Sequence, residues 1–290
     1  MATLPLEVAP RAADTVRWSA YAGLVPAVTF VLLLLALPLA ATAYLSLSPN
    51  VLIQFEGLGL DNFRYLLSKA YYVDVLVRTL RTSFLVTLLA LLLGYPAAYV
   101  LKGLSERVGS TMIVGLTFPI LTGPLVVVLG WMILLSDGGP LLGPLVRRGL
   151  LAPLRLLGTE TAIVIGLVHF TLPFVILTVL SSLKQIPNDL IEAAHSLGAG
   201  PVRMFFRIVW PLSLPGVISA SIIAFSLAAS AYVSPHYLGG ATQLTLTTLV
   251  AQFILATFNS ELAAAAAVVL LVMMVVIIFA FTKLMSRLVR

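Results

Sequence analysis

Long uncharged stretches dominate the hydrophobic pattern of this chain. Each of six such stretches can supply the roughly 20 apolar residues that a membrane-spanning helix needs. Their charged boundaries are Arg17 to Glu56, Arg81 to Lys102, Arg107 to Asp137, Glu160 to Lys184, Arg207 to Glu261 and Glu261 to Lys283. We therefore predict six transmembrane helices at about residues 23–44, 83–101, 112–135, 162–183, 213–234 and 262–282.

The segments between these helices differ in character. Residues 1–20 are expected to form a short cytoplasmic tail, and residues 46–78 the longest external segment, with loop character from Gly57, Gly59 and Asn62. Residues 136–159 are apolar, but their repeated Pro and Gly and three arginines favour an interfacial or loop structure.

The uncharged interval from Ile208 to Ser260 is long enough for two spans. A second span there would place the basic C-terminus outside. Between residues 239 and 259 the Thr and Gln content favours instead a surface or partly re-entrant helix that packs against protein. The sequence does not decide between a surface and a re-entrant course for residues 241–258.

Composition supports a membrane protein. The chain has 290 residues, of which 60% are hydrophobic and 10% charged, whereas soluble domains carry about 25% charged residues. With the N-terminus in the cytoplasm, ten of the 17 Lys and Arg residues lie inside, which agrees with the positive-inside rule. Both termini are therefore predicted to be cytoplasmic, and the net charge of +6 reflects membrane orientation.

Several other classes of function are disfavoured. The basic residues form no patch with interleaved aromatics, so nucleic-acid binding is not expected. The chain has no Cys and three His residues, which leaves no thiolate metal site and no Cys nucleophile. We expect no metal, cofactor or catalytic residue.

One charged segment interrupts the apolar pattern. Pro187 and Asp189 suit the first turn of a helix, and Gly198 can end that helix in the left-handed conformation. Pro201 can open a second short helix, which Pro211 is expected to stop. Two short helices joined at a glycine would form a compact projection.

The first of these helices is predicted to be amphipathic. The spacing of Leu190, Ile191, Ala194 and Leu197 puts these side chains on one face. Glu192 and His195 fall on or beside the other face. An alternative is that the segment lies on the bilayer headgroups, with Arg203 and Arg207 meeting anionic lipid.

The segment Glu192-Ala193-Ala194, then Gly198, then Ile208-Val209-Trp210-Pro211 has a distinctive spacing. It resembles the coupling loop of ATP-binding-cassette (ABC) importer permeases, written EAA, three residues, Gly, nine residues, I-x-L-P. Trp210 departs from this pattern, because the family usually has Leu there.

Further fragments, in the same order, look like the spermidine/putrescine-type branch of binding-protein-dependent permeases. The resemblance covers roughly residues 60–285. The fragments are Asn62-Phe63 with Leu66-Leu67, Leu93-Gly94-Tyr95-Pro96-Ala97-Ala98-Tyr99, Leu172-Pro173-Phe174, Tyr232-Val233-Ser234-Pro235 and Leu238-Gly239-Gly240.

The resemblance implies an all-α polytopic membrane protein with the six transmembrane helices of the type I ABC importer permease fold. Its core would be residues 60–285, with a coupling loop at 187–211, after a first helix and start of an external loop at 21–59. Residues 286–290 would be a cytoplasmic C-terminus. The coupling residues implied are Glu192, Ala193, Ala194, Gly198, Arg203, Ile208 and Pro211.

The same resemblance implies an importer in a bacterial cytoplasmic membrane. The expected partners are ABC ATPase subunits, a second homologous permease and an extracytoplasmic solute-binding protein. A heterodimer of permeases is expected more than a homodimer. ATP hydrolysis would reside in the ATPase subunits, because this chain lacks a G-x-x-x-x-G-K-[ST] phosphate loop.

The transported solute is left open. No Asp or Glu lies within the predicted spans, and relatives often carry an acidic residue near the position of Ala231. Polyamines, amino-acid derivatives, phosphonates, thiamine and ferric ion are all candidates. His169 and Tyr232 are the candidate pathway residues, because intramembrane polar groups are expensive to bury without a role.

Three other classes compete with the importer. A secondary transporter or channel also fits six spans with proline-kinked helices, but usually needs an ionisable intramembrane site, and His169 alone is available. An intramembrane enzyme is disfavoured, because this chain has no H-E-x-x-H pair and no span with a Ser beside a plausible base. An exporter subunit is disfavoured because the EAA spacing resembles that of importers.

Overall fold

The computed structural model describes residues 15–50, 57–140, 142–148 and 155–288. Within these residues the regular secondary structure is helical, without strands. The α-helices are α1 Thr15–Leu47, α2 Asp61–Ser68, α3 Ala70–Lys102, α4 Glu106–Thr122, α5 Pro124–Leu135, α6 Leu142–Arg147, α7 Glu160–Lys184, α8 Asn188–Ser196, α9 Pro201–Met204, α10 Trp210–Ser230, α11 Leu246–Leu255 and α12 Ser260–Leu288.

Five helical segments of the described chain are long and apolar enough to cross a membrane. They are Leu24–Leu47, Ala70–Lys102, Glu160–Lys184, Pro201–Ser230 and Ser260–Lys283. Two bent pairs, Glu106–Thr122 with Pro124–Leu135 and Pro235–Thr242 with Leu246–Leu255, raise the number to seven if each pair is one span. The predicted number of six lies within this range.

The predicted span at residues 112–135 is not one straight helix. α4 and α5 meet at Gly123 with a bend of 94°. Gly123 has φ 77°, which favours glycine, and Pro124 has no backbone N–H to continue the hydrogen-bond ladder of α4. The predicted third span is therefore a bent pair of helices.

The chain is also more helical than predicted outside the apolar cores. α2 and the first turns of α3 occupy much of the predicted external segment 46–78, because they bury apolar residues such as Leu66 and Val75. α1 begins at Thr15, within the predicted tail. The rest of that tail, the last two residues of the predicted C-terminal segment 286–290 and parts of both external segments lie outside the described residues.

Three helices form the centre of the bundle, with α7 packed against both α3 and α10. Glycine allows the backbones to approach closely. A Cβ at Gly94 of α3 would lie 2.8 Å from Cγ1 of Val175, and a Cβ at Gly216 of α10 would overlap Ser182. Small residues at such crossings are the usual means of packing helices in lipid.

Polar contacts fix the helix directions. Near one end of the bundle, Arg81 of α3 pairs with Glu160, the first residue of α7, and Thr82 Oγ1 donates to Glu160 Oε1 at 2.9 Å. Near the other end, Tyr95 of α3 hydrogen-bonds Ser213 at the start of α10. α3 and α7 are therefore parallel and α10 is antiparallel, which defines a Glu160 end and a Lys184 end.

α1 lies on the perimeter. Its residues 24–41 are all exposed, and it contacts α12 and α2. Three buried asparagines tie its end to the bundle. Asn50 Nδ2 donates to Asn62 Oδ1 at 3.1 Å and to Asn259 Oδ1 at 3.0 Å, and Asn62 Nδ2 donates to the carbonyls of Ser46 and Ser48. We call these three residues the asparagine cluster.

Removing one amide from the asparagine cluster should destabilise the protein. Asn259→Ala removes both hydrogen bonds between Asn50 and Asn259 and deprives the buried Leu262 N–H of its side-chain acceptor. Buried groups left unsatisfied cost about 1–3 kcal/mol, so the Tm of the detergent-purified chain should fall. Asn188→Ala, at an exposed asparagine, is the matched control, and equal Tm values for the two variants would contradict the prediction.

Candidate coupling and translocation site

The helix α8 ends in a complete glycine cap. Gly198 has φ 76°, its N–H donates to the carbonyl of His195, and the Ala199 N–H donates to that of Ala194. This is the Schellman pattern, which satisfies the last carbonyls of a helix and turns the chain sharply. The predicted left-handed role of Gly198 is confirmed, and α9 then begins at Pro201 as expected.

The exposed face of α8 differs from the predicted one. Of the four residues expected on one apolar face, Ala194 is buried and Ile191 half-buried, whereas Leu190 and Leu197 are exposed. Leu197 is 88% exposed because the cap at Gly198 directs it away from the bundle. The projection therefore presents apolar side chains outward, beside the exposed Glu192 and Ala193.

The second helix of the projection does not stop at Pro211. Residues Phe205–Val209 form a π-helical turn, and the Trp210 N–H donates to the Phe205 carbonyl, five residues back. A proline inside an α-helix clashes with the carbonyl four residues before it, and the wider π turn gives the chain room to pass Pro211. Residues Pro201–Ser230 consequently form one continuous helix.

An aromatic cluster, which sequence reasoning missed, anchors this π turn to α3. The Tyr95 ring contacts Trp210 and Phe205 with centroids 5.2 and 5.9 Å apart, and Tyr99 contacts Phe205 at 5.7 Å. Trp210, the residue that departs from the I-x-L-P pattern, therefore packs its ring on Tyr95. The available signal was the spacing of the aromatic residues, with Tyr95 one helical turn before Tyr99 and Phe205 shortly before Trp210.

The cluster also holds a buried hydrogen-bond chain. Ser213 Oγ donates to the Trp210 carbonyl at 3.0 Å, so it accepts from the Tyr95 hydroxyl at 2.8 Å. At the Lys184 end, α3 and α10 are therefore joined both by ring packing and by a hydrogen bond.

The far end of the continuous helix is a break in regular structure. α10 ends at Ser230, and Ala231 is extended, with φ −67° and ψ 131°. The Ala231 carbonyl, freed from the helix, accepts from Thr247 Oγ1 at 2.7 Å. A π-helical turn then follows at Pro235–Gly239. Broken helices at membrane depth are tolerated where they line a cavity or are buried in protein.

Tyr232, at this break, lines two cavities. One, of about 220 Å³, also includes Phe170, Leu227 and Ser230. The other, of about 390 Å³, also includes Tyr71, Thr248 and Gln252. The Tyr232 ring stacks on the imidazole of His236, with centroids 5.0 Å apart and planes at 19°.

A third, more polar groove lies between α7 and α10 towards the Lys184 end. Its volume is about 490 Å³. Hydroxyl and amide groups line it, from Thr178, Ser181, Ser182, Gln185 and Ser219. Sequence reasoning missed this groove, although Thr178, Ser181, Ser182 and Gln185 recur at spacings of three and four along α7.

His169 lies apart from these cavities. It is exposed on α7 and meets Trp131 of α5 edge to face, with centroids 5.8 Å apart. It is not among the residues that line the three cavities, whereas Tyr232 lines two of them. None of these linings includes an Asp or Glu, and the described residues contain no group of acids and histidines that could hold a metal ion.

Solved structures share this fold. A bacterial ABC transporter involved in the import of the acidic polysaccharide alginate matches with a TM-score of 0.78 and 19% identity, over 94% of this chain and 96% of that chain. The MetNI methionine ABC transporter matches with a TM-score of 0.57 and 22% identity, over 78% of this chain and 97% of that chain. The fold is therefore that of an ABC transporter permease.

Sequence comparison is more specific. Spermidine/putrescine transport system permease protein PotB of Haemophilus influenzae is 31% identical over 75% of this chain and 78% of its own length. PotB of Escherichia coli K12 is 34% identical over 67% of this chain and 71% of its own length. A putative 2-aminoethylphosphonate permease of Salmonella typhi is 26% identical over 76% of this chain and 79% of its own length.

Residues 76–290 match the family described as "Binding-protein-dependent transport system inner membrane component", and the chain belongs to this family. It is accordingly a multi-pass permease subunit of a binding-protein-dependent ABC importer. This class favours the importer over the channel, exporter and enzyme alternatives.

The aromatic cluster yields a test of the link between α3 and α10. Tyr95→Phe keeps the ring contacts but removes the hydroxyl that donates to Ser213. A buried hydrogen bond contributes about 0.5–1.5 kcal/mol, so the variant should have a lower Tm. Tyr99→Phe, at a partly exposed ring of the same cluster, is the control. A Tm loss that is no larger at Tyr95 than at Tyr99 would contradict the assignment.

Proposed function

We propose that the chain forms half of a solute pathway and is driven through α8 by a separate ABC ATPase subunit. The other half of the pathway is a homologous but non-identical permease, and an extracytoplasmic binding protein delivers the solute. The family and the curated relatives support this arrangement. The chain itself contains no ATP-hydrolysing site in this proposal.

The observation that carries the proposal is the continuity of one helix. Residues Pro201–Ser230 begin at the projection formed by α8 and end at the break before Tyr232. At 1.5 Å per residue this helix is about 45 Å long. A force applied to α8 is thus transmitted along a rigid element to the residues that line the cavities.

Apolar exposure at the projection supports α8 as the contact with the ATPase. Leu197, Val202 and Phe206 are 88%, 68% and 66% exposed. Contiguous exposed apolar side chains beside charged ones are typical of protein interfaces. In this proposal Glu192, Ala193, Ala194, Gly198, Arg203, Ile208 and Pro211 form the coupling segment.

Orientation follows from charge. The Lys184 end carries Lys102, Arg107, Lys184 and Arg203, and basic residues are concentrated on the cytoplasmic side of inner-membrane proteins. We propose that this end, and both chain termini, face the cytoplasm of a bacterial cell. The Glu160 end, with the 390 Å³ cavity, then faces the binding protein.

We propose that the solute is small, polar and amine-bearing. The names of the relatives include spermidine, putrescine and 2-aminoethylphosphonate, which share an amino group. The cavity linings offer hydroxyls, an amide and the ring of Tyr232 rather than carboxylates. An ammonium group can be held by aromatic faces and dipoles without a salt bridge, and weak sites favour passage over retention.

The coupling role can be tested with one substitution at two neighbouring glycines. Gly198→Ala forces a Cβ onto a residue with φ 76°, which costs about 1–2 kcal/mol and disturbs the angle between α8 and α9. Gly200→Ala is unstrained, because Gly200 has φ −67° and open space around it. We expect binding-protein-stimulated ATP hydrolysis to fall several-fold in the first variant and to be unchanged in the second.

The assay uses the chain copurified with its second permease and ATPase subunits, and association is measured alongside turnover. Equal stimulation in the two variants, with both properly inserted, would remove α8 as the coupling element.

The pathway role of Tyr232 is tested by transport. Tyr232→Ala should reduce uptake of labelled spermidine, putrescine or 2-aminoethylphosphonate by about tenfold, since cation–π contacts contribute up to about 2 kcal/mol. Tyr237→Ala is the control, because Tyr237 neighbours His236 but is absent from the cavity linings. Uptake in proteoliposomes that is unchanged by Tyr232→Ala would refute the role.

A further inference from the structure

The two cavities beside Tyr232 lie at different depths. The cavity of about 390 Å³, here called the outer cavity, includes Tyr71, which precedes Arg81 by ten residues on α3 and so lies about 15 Å beyond the ion pair of Arg81 with Glu160. The cavity of about 220 Å³, the inner cavity, includes Phe170, ten residues after Glu160 on α7 and so about 15 Å deeper. Tyr232 lines both cavities, so its side chain stands at their boundary.

A second ring contacts Tyr232 from the outer cavity. His236 lines the outer cavity but not the inner one, and its imidazole covers one face of the Tyr232 ring in the stack described above. The same imidazole meets the ring of Tyr237 edge to face, with centroids 4.8 Å apart and planes at 89°. The His236 N–H donates to the Tyr232 carbonyl at 3.0 Å, so the two stacked side chains lie one turn apart.

The π-helical turn that carries His236 is fixed to α7. The Leu238 carbonyl accepts from the Gly158 N–H at 2.8 Å, just before α7 begins, and the Leu238 side chain is fully buried. A Cβ at Gly166 would lie 2.5 Å from Leu238 Cδ1, so no free space separates the turn from this helix. Tyr232 instead lies at the break between α10 and the turn. The imidazole is therefore the fixed member of the stack, and the Tyr232 ring is the member that can rotate.

Stacking is the directional contact that holds the Tyr232 ring. Among the described residues its hydroxyl has no hydrogen bond, and the lining of the outer cavity includes no Lys, Arg, Asp or Glu that could bind it as an ion. Aromatic pairs stabilise one arrangement over others by an amount that corresponds to about two- to tenfold in population. Loss of the imidazole should therefore release the ring measurably.

We propose that Tyr232 is a gate between the outer and inner cavities and that His236 is the positioning residue that holds this gate closed. The inference rests on the proposed pathway, in which the outer cavity receives the solute. Rotation of the Tyr232 ring away from the imidazole joins the two cavities. A solute that passes from the outer to the inner cavity requires this step.

Thiol labelling tests the gate directly, because the chain has no Cys. Val128→Cys puts a thiol on the buried wall of the inner cavity, and Gln252→Cys puts one in the outer cavity. Right-side-out membrane vesicles that contain the chain and its partner subunits are treated with an impermeant quaternary-ammonium methanethiosulfonate. Mass spectrometry of this chain gives the rate of modification. We expect fast modification of Gln252→Cys and slow modification of Val128→Cys.

Substitution of the stacked residue should change only the inner rate. His236→Ala should accelerate modification of Val128→Cys about three- to tenfold, whereas His236→Phe keeps a planar ring and should restore the slow rate. Tyr232→Ala removes the gate and sets the upper limit. The rate at Gln252→Cys should be the same in every background. Leu167→Cys, also buried on the inner cavity, replaces Val128→Cys if that variant does not insert.

Two results would overturn the proposal. Fast modification of Val128→Cys with Tyr232 and His236 both intact would show that the cavities are already joined. An inner rate that His236→Ala leaves slow, while Tyr232→Ala raises it, would remove His236 as the positioning residue. Labelling needs neither a transported solute nor ATP hydrolysis, so its failure is distinct from a failure of the proposed function, which is measured by uptake.

Discussion

Inside a bilayer, apolar side chains gain little by leaving lipid for protein, so helix association depends on how closely backbones can approach. In this chain the limiting approaches are at Gly94 and Gly216, which bring α3 and α10 onto α7. Gly166 and Gly239 similarly admit Leu238 and Ile163 at the Glu160 end. The rest of the structure is arranged around these contacts: they place the cavities, the break at Tyr232 and the start of the coupling segment.

Hydrophobic pattern alone predicted most of the bundle, because charge-free intervals of sufficient length have few alternatives in a membrane. The position of a glycine predicted the end of α8 at Gly198, where one residue decides the backbone conformation. The hydrophobic pattern did not predict the bend at Gly123, because a bent pair of apolar helices has the same pattern as one straight apolar helix. Nor did it predict the passage of the helix through Pro211, since the π turn depends on packing of Phe205 and Trp210 against Tyr95 on a distant helix.

Some residues of the candidate site could be predicted from the sequence, and others could not. The proposed coupling residues carry a local spacing, so they can be proposed from the amino-acid sequence. The hydroxyl groove could not be named in this way, because Thr178 and Ser219 become neighbours only when α7 and α10 cross. His169 and Tyr232 were both candidates as intramembrane polar residues. Their surroundings separate them, since one faces outward beside Trp131 and the other lies at a break between two cavities.

The position of Gly216 has a mechanical consequence. It lies fifteen residues after Pro201 and fourteen before Ser230, so the closest crossing with α7 divides the continuous helix into two arms of about 22 Å each. If the helix tilts as a rigid rod about this crossing, its two ends move by equal distances in opposite directions, roughly 4 Å for a tilt of about 10°. For such a tilt, a displacement of the helix at the projection produces a displacement of equal size and opposite direction beside Tyr232.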